Sequence, residues 1–300
     1  MTEGEIAGVI VPALTPVDSN DRVDEPAYRK LLRSLIESGV QGIFVGGTAG
    51  EGPLLTQREW ERMVGIAFEE CHGRVHLLGG ATDTSTARVI ERVHTLQAIG
   101  YENVVIVPTF YLKLKHPEEH LRLFGECKQA AGNTNLIAYN IPSCAGSTIP
   151  VEVVCEMTRR GWIRYCKESS EDMDYFRQLL EQGGPLGLKV FVGSERHAAE
   201  ALQMGAQGIV PVCANYEPAT YIAAYNARHD PDTLRSLQER ILTVIQNLVL
   251  APRSWIAGAK YAIALKGIGS GRPVSPTEPL NDSERRAIEG FCSQQQLSPD

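Results

Sequence analysis

A lysine placed late in a run that reads as a buried strand, Lys167 in Arg164-Tyr165-Cys166-Lys167-Glu168-Ser169-Ser170, is the residue of this chain best suited to chemistry. Withdrawal from water disfavours the charged form of an amine and leaves a lone pair that can attack a carbonyl. A lysine at a strand end can instead extend its ammonium to solvent, so the position needs support from other residues. Tyr139, at the end of Leu136-Ile137-Ala138-Tyr139-Asn140, offers a phenol able to exchange protons with a substrate hydroxyl, although a buried tyrosine with a satisfied hydroxyl reads the same way. Gly46-Gly47-Thr48-Ala49-Gly50-Glu51-Gly52 gathers small residues whose backbone N–H groups can approach an anion closely, with the Thr48 hydroxyl as a further donor. A tight strand-to-helix turn has the same composition, and the loop lacks the lysine and spacing of a P-loop.

These residues sit within a regular alternation of β-branched apolar runs and helical stretches, the pattern of a parallel sheet. The runs are Gly8–Leu14, Gly42–Gly46, Val75–Gly80, Val104–Pro108, Leu136–Asn140, Ile163–Lys167, Val190–Ser194 and Gly208–Val212. Strand-helix units of this number within about 230 residues predict an α/β protein, a (β/α)8 TIM barrel. Thr56-Gln57-Arg58-Glu59 reads as a capping box, Asp24 precedes Glu25-Pro26, and Asp230-Pro231 restarts a helix. Residues 1–230 are therefore expected to form the barrel with its catalytic site. Residues 231–300, helical around 234–250, 255–265 and 283–292 with a loop at 267–273, are expected to form a helical extension packed on it.

In such a barrel the catalytic groups gather at the C-terminal ends of the strands. Lys189 begins a strand, Lys30, Lys128, Lys260 and Lys266 fall in helical stretches, and Lys113 and Lys115 lie in a loop, so Lys167 alone passes this test.

With a formal net charge of −7 and 43% hydrophobic residues over 300 positions, the chain offers no basic field for nucleic acid and no cationic run for a membrane surface. No apolar stretch reaches the ~18 residues of a membrane span, and the N-terminus resembles neither a signal nor a transit peptide. Seven scattered cysteines without a C-x-x-C pair suit reduced thiols in a cytoplasm. His116-Pro117-Glu118-Glu119-His120 matches a metal-binding string, but Pro117 at the first helical position leaves His116 at the cap, and no downstream acidic ligand follows. The other histidines are isolated, so no metal is expected.

Taken in order, Leu14-Thr15-Pro16, Gly47-Thr48-Ala49-Gly50-Glu51, Tyr139-Asn140-Ile141-Pro142, Lys167-Glu168-Ser169-Ser170 and Gly193-Ser194 resemble the marks of the dihydrodipicolinate synthase/N-acetylneuraminate lyase family of Schiff-base aldolases. The resemblance covers nearly the whole chain. It implies that Lys167 is the Schiff-base lysine, Tyr139 the proton-transfer phenol, and Thr48 a carboxylate ligand and relay partner. It further implies a homotetramer in which Tyr111 completes a neighbouring subunit's relay. Thr48, Ala49, Gly193, Ser194, Val210 and Cys144 would line the site for a small 2-oxo acid, with no metal or organic cofactor.

The chain departs from the family pattern at two positions. Ala49 replaces a hydroxyl residue of the glycine-rich loop. Cys144 stands where lysine-pathway synthases carry an arginine that clamps the second substrate's carboxylate, and a thiol cannot replace that charged fork. The expectation is a lyase, aldolase or dehydratase, acting on a 2-keto-3-deoxy sugar acid or a 4-hydroxy-2-oxo acid, and not a true dihydrodipicolinate synthase. The alternative, motivated by Ala49 and Cys144, is a catalytically silent 2-oxo-acid-binding or sensor protein on the same barrel.

Overall fold

The structure is a computed structural model that describes residues 4–296; residues 1–3 and 297–300, and with them the ends of the two expected spans, lie outside it. Eight parallel strands close into a barrel in sequence order. They are β1 (Gly8–Pro12), β2 (Gly42–Val45), β3 (His76–Gly80), β4 (Asn103–Ile106), β5 (Asn135–Asn140), β6 (Ile163–Glu168), β7 (Lys189–Val192) and β8 (Gly208–Ile209). The helices around them are α1 (Glu25–Glu37), α2 (Gln57–Cys71), α3 (Thr86–Ile99), α4 (Pro117–Ala131), α5 (Pro142–Ala145), α6 (Val151–Arg159), α7 (Met173–Gln178), α8 (Ala198–Gln203) and α9 (Pro218–Asn226). Beyond β8 and α9 the chain continues as α10 (Pro231–Ile245), a π-helical turn Gln246–Leu250, α11 (Trp255–Leu265) and α12 (Asp282–Gln296). Among the described residues no helix is long and apolar enough to cross a membrane.

Because helices cover the outside and side chains fill the inside, the strands are buried on both faces, which is why they read as nearly continuous apolar runs. The observed strands fall within one or two residues of the sequence-based runs, except that β8 is confined to Gly208–Ile209. Ile10, Phe44, Leu78, Val105, Ile137, Phe191 and Val210 fill the barrel interior below Lys167, leaving a void of only about 10 Å³ among them. The barrel is thus a packed floor rather than a pore.

Local caps follow the sequence with one correction. Asp24 accepts the Ala27 N–H and Asp230 accepts the Thr233 N–H, capping α1 and α10. Thr56 accepts the Glu59 N–H, but the Glu59 carboxylate turns to the Val23 N–H at 2.8 Å instead of back to its own cap. The expected capping box is therefore half made. The second half is given to a contact 36 residues away that ties the first loop to α2.

Candidate active site

Lys167 and Tyr139 share the interior face of the barrel because of an irregularity in β6. Leu136 pairs with Ile163, but the next pair is Ile137 with Tyr165, so Arg164 has no cross-strand partner in β5 and points to solvent. Ile163 consequently packs outward against the helices while Tyr165, two residues on, packs inward. An uninterrupted alternation from Ile163 would have turned Lys167 toward the helices. With the extra residue absorbed, Lys167 lies directly opposite Tyr139 on one side and Phe191 on the other.

Both groups are buried, Lys167 at 8% and Tyr139 at 2% exposure. The lysine Nζ lies over the Tyr139 ring, 4.0 Å from its centroid, and 5.3 Å from the centroid of Phe44. The two rings meet edge to face at 6.2 Å. Above them opens a cavity of about 220 Å³. Lys167, Tyr139, Thr48 and Ala49 line it, together with Gly193, Ser194 and Val210 from the far side. Seven of the nine sequence candidates are therefore brought to one space. Among the described residues, Ser194 Oγ is buried without a hydrogen-bond partner.

The remaining two candidates lie apart. Cys144 is exposed and lines a second, more apolar cavity of about 360 Å³, which shares Thr48, Ile141 and Trp255 with the first. Tyr111 lines neither cavity. It is 91% exposed and held at φ 76°, a conformation that few residues with side chains adopt.

The loops that frame the cavity leave little room for change. A side chain on Gly52 would place its Cβ 2.2 Å from the Gly46 carbonyl oxygen, so the glycine-rich loop can fold on itself only without one. Thr15 braces this loop by donating its hydroxyl to the Gly50 carbonyl at 2.7 Å. A Cβ on Gly193 would sit 1.9 Å from Ser169 Oγ and 3.0 Å from Lys167 Cε, so that glycine lets β7 approach the lysine stem. Behind Lys167, the buried Glu168 carboxylate accepts from the Ser170 N–H at 2.6 Å and from Asn140 Nδ2 at 3.2 Å. The Asn140 bond joins the ends of β5 and β6, and Asn140 in turn accepts the Ile149 N–H from the segment before α6. Burial raises the Glu168 pKa despite these donors.

Several cavity residues escaped the sequence reading. Glu171, at φ 63°, pairs with Arg196 at 3.1 Å on the rim. Val249 and Leu250 of the π-helical turn and Trp255 at the start of α11 wall the opening. The only available signal was adjacency: Glu195 and Arg196 follow Gly193-Ser194 directly. Glu195 is buried, and burial pushes its carboxyl up to about 7 even though the Cys213 N–H donates to it at 2.7 Å. The folded protein therefore keeps a proton that the unfolded chain releases above its ordinary value of 4.5, and stability falls as pH rises from there to about 7. Glu195→Gln keeps the acceptor for Cys213 and removes the titration. Unfolding in denaturant at a series of pH values should show the wild type losing about 3 kcal/mol relative to the variant across this window. Parallel curves would contradict the assignment.

The histidine string behaves as a helix start. The Glu119 carboxylate accepts the His116 N–H at 2.9 Å and the Lys115 N–H at 2.6 Å, and His120 is buried, which lowers its pKa. Among the described residues no group of three or more His, Cys, Asp or Glu side chains is placed to hold a metal ion.

The Dihydrodipicolinate synthetase family model matches residues 5–295. The chain belongs to this family. Among relatives, a 4-hydroxy-tetrahydrodipicolinate synthase of Methanothermobacter thermautotrophicus is 33% identical over 220 residues, 72% of this chain and 76% of that protein. An uncharacterised DapA-like lyase of Halobacterium salinarum is 28% identical over 284 residues, 94% of this chain and 91% of that protein. Among solved structures, the dihydrodipicolinate synthase of Bacteroides thetaiotaomicron superposes with a TM-score of 0.90 at 25% identity, covering 96% of this chain and 98% of that one.

Proposed function

We propose that the chain is a Schiff-base-forming lyase acting on a 2-oxo acid. The observation that carries the reading is the buried Lys167 Nζ lying 4.0 Å from the Tyr139 ring centroid in a cavity with an open upper side. Lys167 adds to the substrate ketone, and loss of the ketone oxygen as water leaves an iminium. Tyr139 removes the proton of the C4 hydroxyl, the C3–C4 bond breaks, its electron pair moves into the enamine, and an aldehyde leaves. Protonation of the enamine and hydrolysis return pyruvate and the free amine. A dehydratase starts from the same iminium: loss of a C3 proton gives an enamine of the intact chain, whose electron pair expels the protonated C4 hydroxyl as water without breaking the carbon chain. Because the iminium is the electron sink, the scheme calls for no metal or organic cofactor.

The substrate carboxylate is assigned to Thr48 and the backbone N–H groups of Thr48 and Ala49. Charge-assisted bonds of this kind contribute roughly 1.5–3 kcal/mol each. Gly193, Ser194 and Val210, which line the same cavity, face the rest of the molecule. The substrate classes that fit are 2-keto-3-deoxy sugar acids and related 4-hydroxy-2-oxo acids. Cys144, exposed in the neighbouring cavity, offers no cation for a second carboxylate, which supports a substrate other than that of the lysine-pathway synthase.

The same reading makes the protein a cytoplasmic homotetramer, with residues 231–300 an extension of the barrel. Its seven cysteines are all unpaired. Tyr111, exposed and held at φ 76°, is presented for a neighbouring copy. Light scattering tests the assembly, with a four-chain mass expected.

Borohydride reduction in the presence of pyruvate tests the chemistry. A pyruvate-sized mass increase confined to the peptide carrying Lys167 is expected. Saturable binding of 2-oxo acids with no reducible adduct and no turnover would instead favour the silent binding protein.

A further inference from the structure

The carboxylate-binding loop is anchored from outside the barrel. Glu51 follows Thr48 by three residues, is 3% exposed, and adopts φ 53°. Its N–H donates to the Thr48 carbonyl at 3.1 Å, so the two residues close one turn. Its carboxylate accepts the Val274 N–H at 2.8 Å and a hydrogen bond from Lys260 Nζ, and Lys260 is itself 2% exposed on α11. Both partners of the side-chain contact thus come from the segment after the barrel.

Packing alone does not explain this arrangement. A buried ion pair loses hydration on both sides, and an apolar pair of similar volume often stabilises a fold as well or better. The left-handed conformation at Glu51 also suits glycine better than any residue with a Cβ. Burial lowers the Lys260 pKa while the Glu51 charge opposes the shift, as expected where each group depends on the other. What the pair provides is direction, because a hydrogen-bonded ion pair fixes the orientation of the turn that an apolar contact would leave loose. The same helix carries Trp255, which lines both cavities, so α11 sets the loop and the cavity wall together.

We propose that Glu51 and Lys260 are positioning residues that aim the Thr48–Ala49 edge of the cavity at the carboxylate of a 2-oxo acid. This rests on the Schiff-base reading for the identity of the substrate, but concerns only how its carboxylate is held. Neither residue touches the reacting atoms.

The test compares wild type with the double variant Glu51→Met/Lys260→Met, which removes both charges together and so avoids stranding one in the interior; its thermal unfolding is measured first. Reductive trapping is followed with pyruvate and with methyl pyruvate, which keeps the ketone and lacks the anion. Lactate, which has the carboxylate and no ketone, is titrated calorimetrically. In the double variant, trapping by pyruvate and affinity for lactate should fall roughly ten- to a hundredfold, the worth of one well-made charge-assisted bond. Trapping by methyl pyruvate should change by less than about threefold. Equal losses for both ketones, or unchanged lactate affinity, overturn the inference. A wild-type protein that binds lactate more tightly than the double variant but traps neither ketone overturns the Schiff-base reading while leaving the positioning role supported.

Discussion

Lys167→Met is expected to abolish the borohydride adduct with pyruvate and to lower turnover by at least ~10⁴-fold, while leaving the protein folded. The lysine Nζ lies over the Tyr139 ring and near that of Phe44, its Cε runs beside Gly193, and an unbranched methionine fills nearly the same volume. Swaps of this kind cost less than about 1.5 kcal/mol in a core. Loss of the amine therefore separates chemistry from stability. Assay of the purified variant by mass spectrometry and melting temperature checks both parts at once. Residual adduct on another lysine would redirect the assignment. Lys260 is the other deeply buried amine, but it is engaged with Glu51 and does not line the cavity.

Tyr139→Phe should behave differently. The ring that supports Lys167 is kept, including its edge-to-face contact with Phe44, so the amine stays where it is and still adds to pyruvate. Only the proton carrier is lost. General acid–base groups of this kind contribute about 10²–10⁴-fold, so turnover should fall by that factor while the adduct continues to form. Single-turnover trapping alongside steady-state rates reads the split. Turnover close to wild type would show that the phenol is not the proton carrier, and loss of the adduct would show that it also serves the addition step.

Much of this architecture is legible in the sequence because a barrel strand announces itself by composition. Short β-branched runs bounded by helices mark the strands, and the strand-end rule singles out Lys167 without knowledge of its contacts. The register of β6 is another matter. Nothing in Ile163-Arg164-Tyr165-Cys166-Lys167 reveals that Arg164 is skipped, and it is this step, fixed by pairing with β5, that puts Lys167 on the same face as Tyr139. Glu59 shows how a local motif yields to a distant partner, since Val23 takes the carboxylate expected to close its cap. Lys260, set aside for lying in a helical stretch, reaches across 209 residues to Glu51, in a loop that the sequence marks by its small residues and the Thr48 hydroxyl. The cavity wall from Val249, Leu250 and Trp255 was hidden for the same reason, because only the tertiary fold brings the last helices over the mouth of the barrel.

A crystal structure of the protein soaked with pyruvate tests the central claim most directly. Continuous density from Lys167 Nζ to C2 of pyruvate is expected, with the carboxylate on the Thr48–Ala49 edge and the Tyr139 hydroxyl facing the adduct. Pyruvate bound with its ketone intact and away from Lys167, or an empty cavity at saturating pyruvate, would contradict the account.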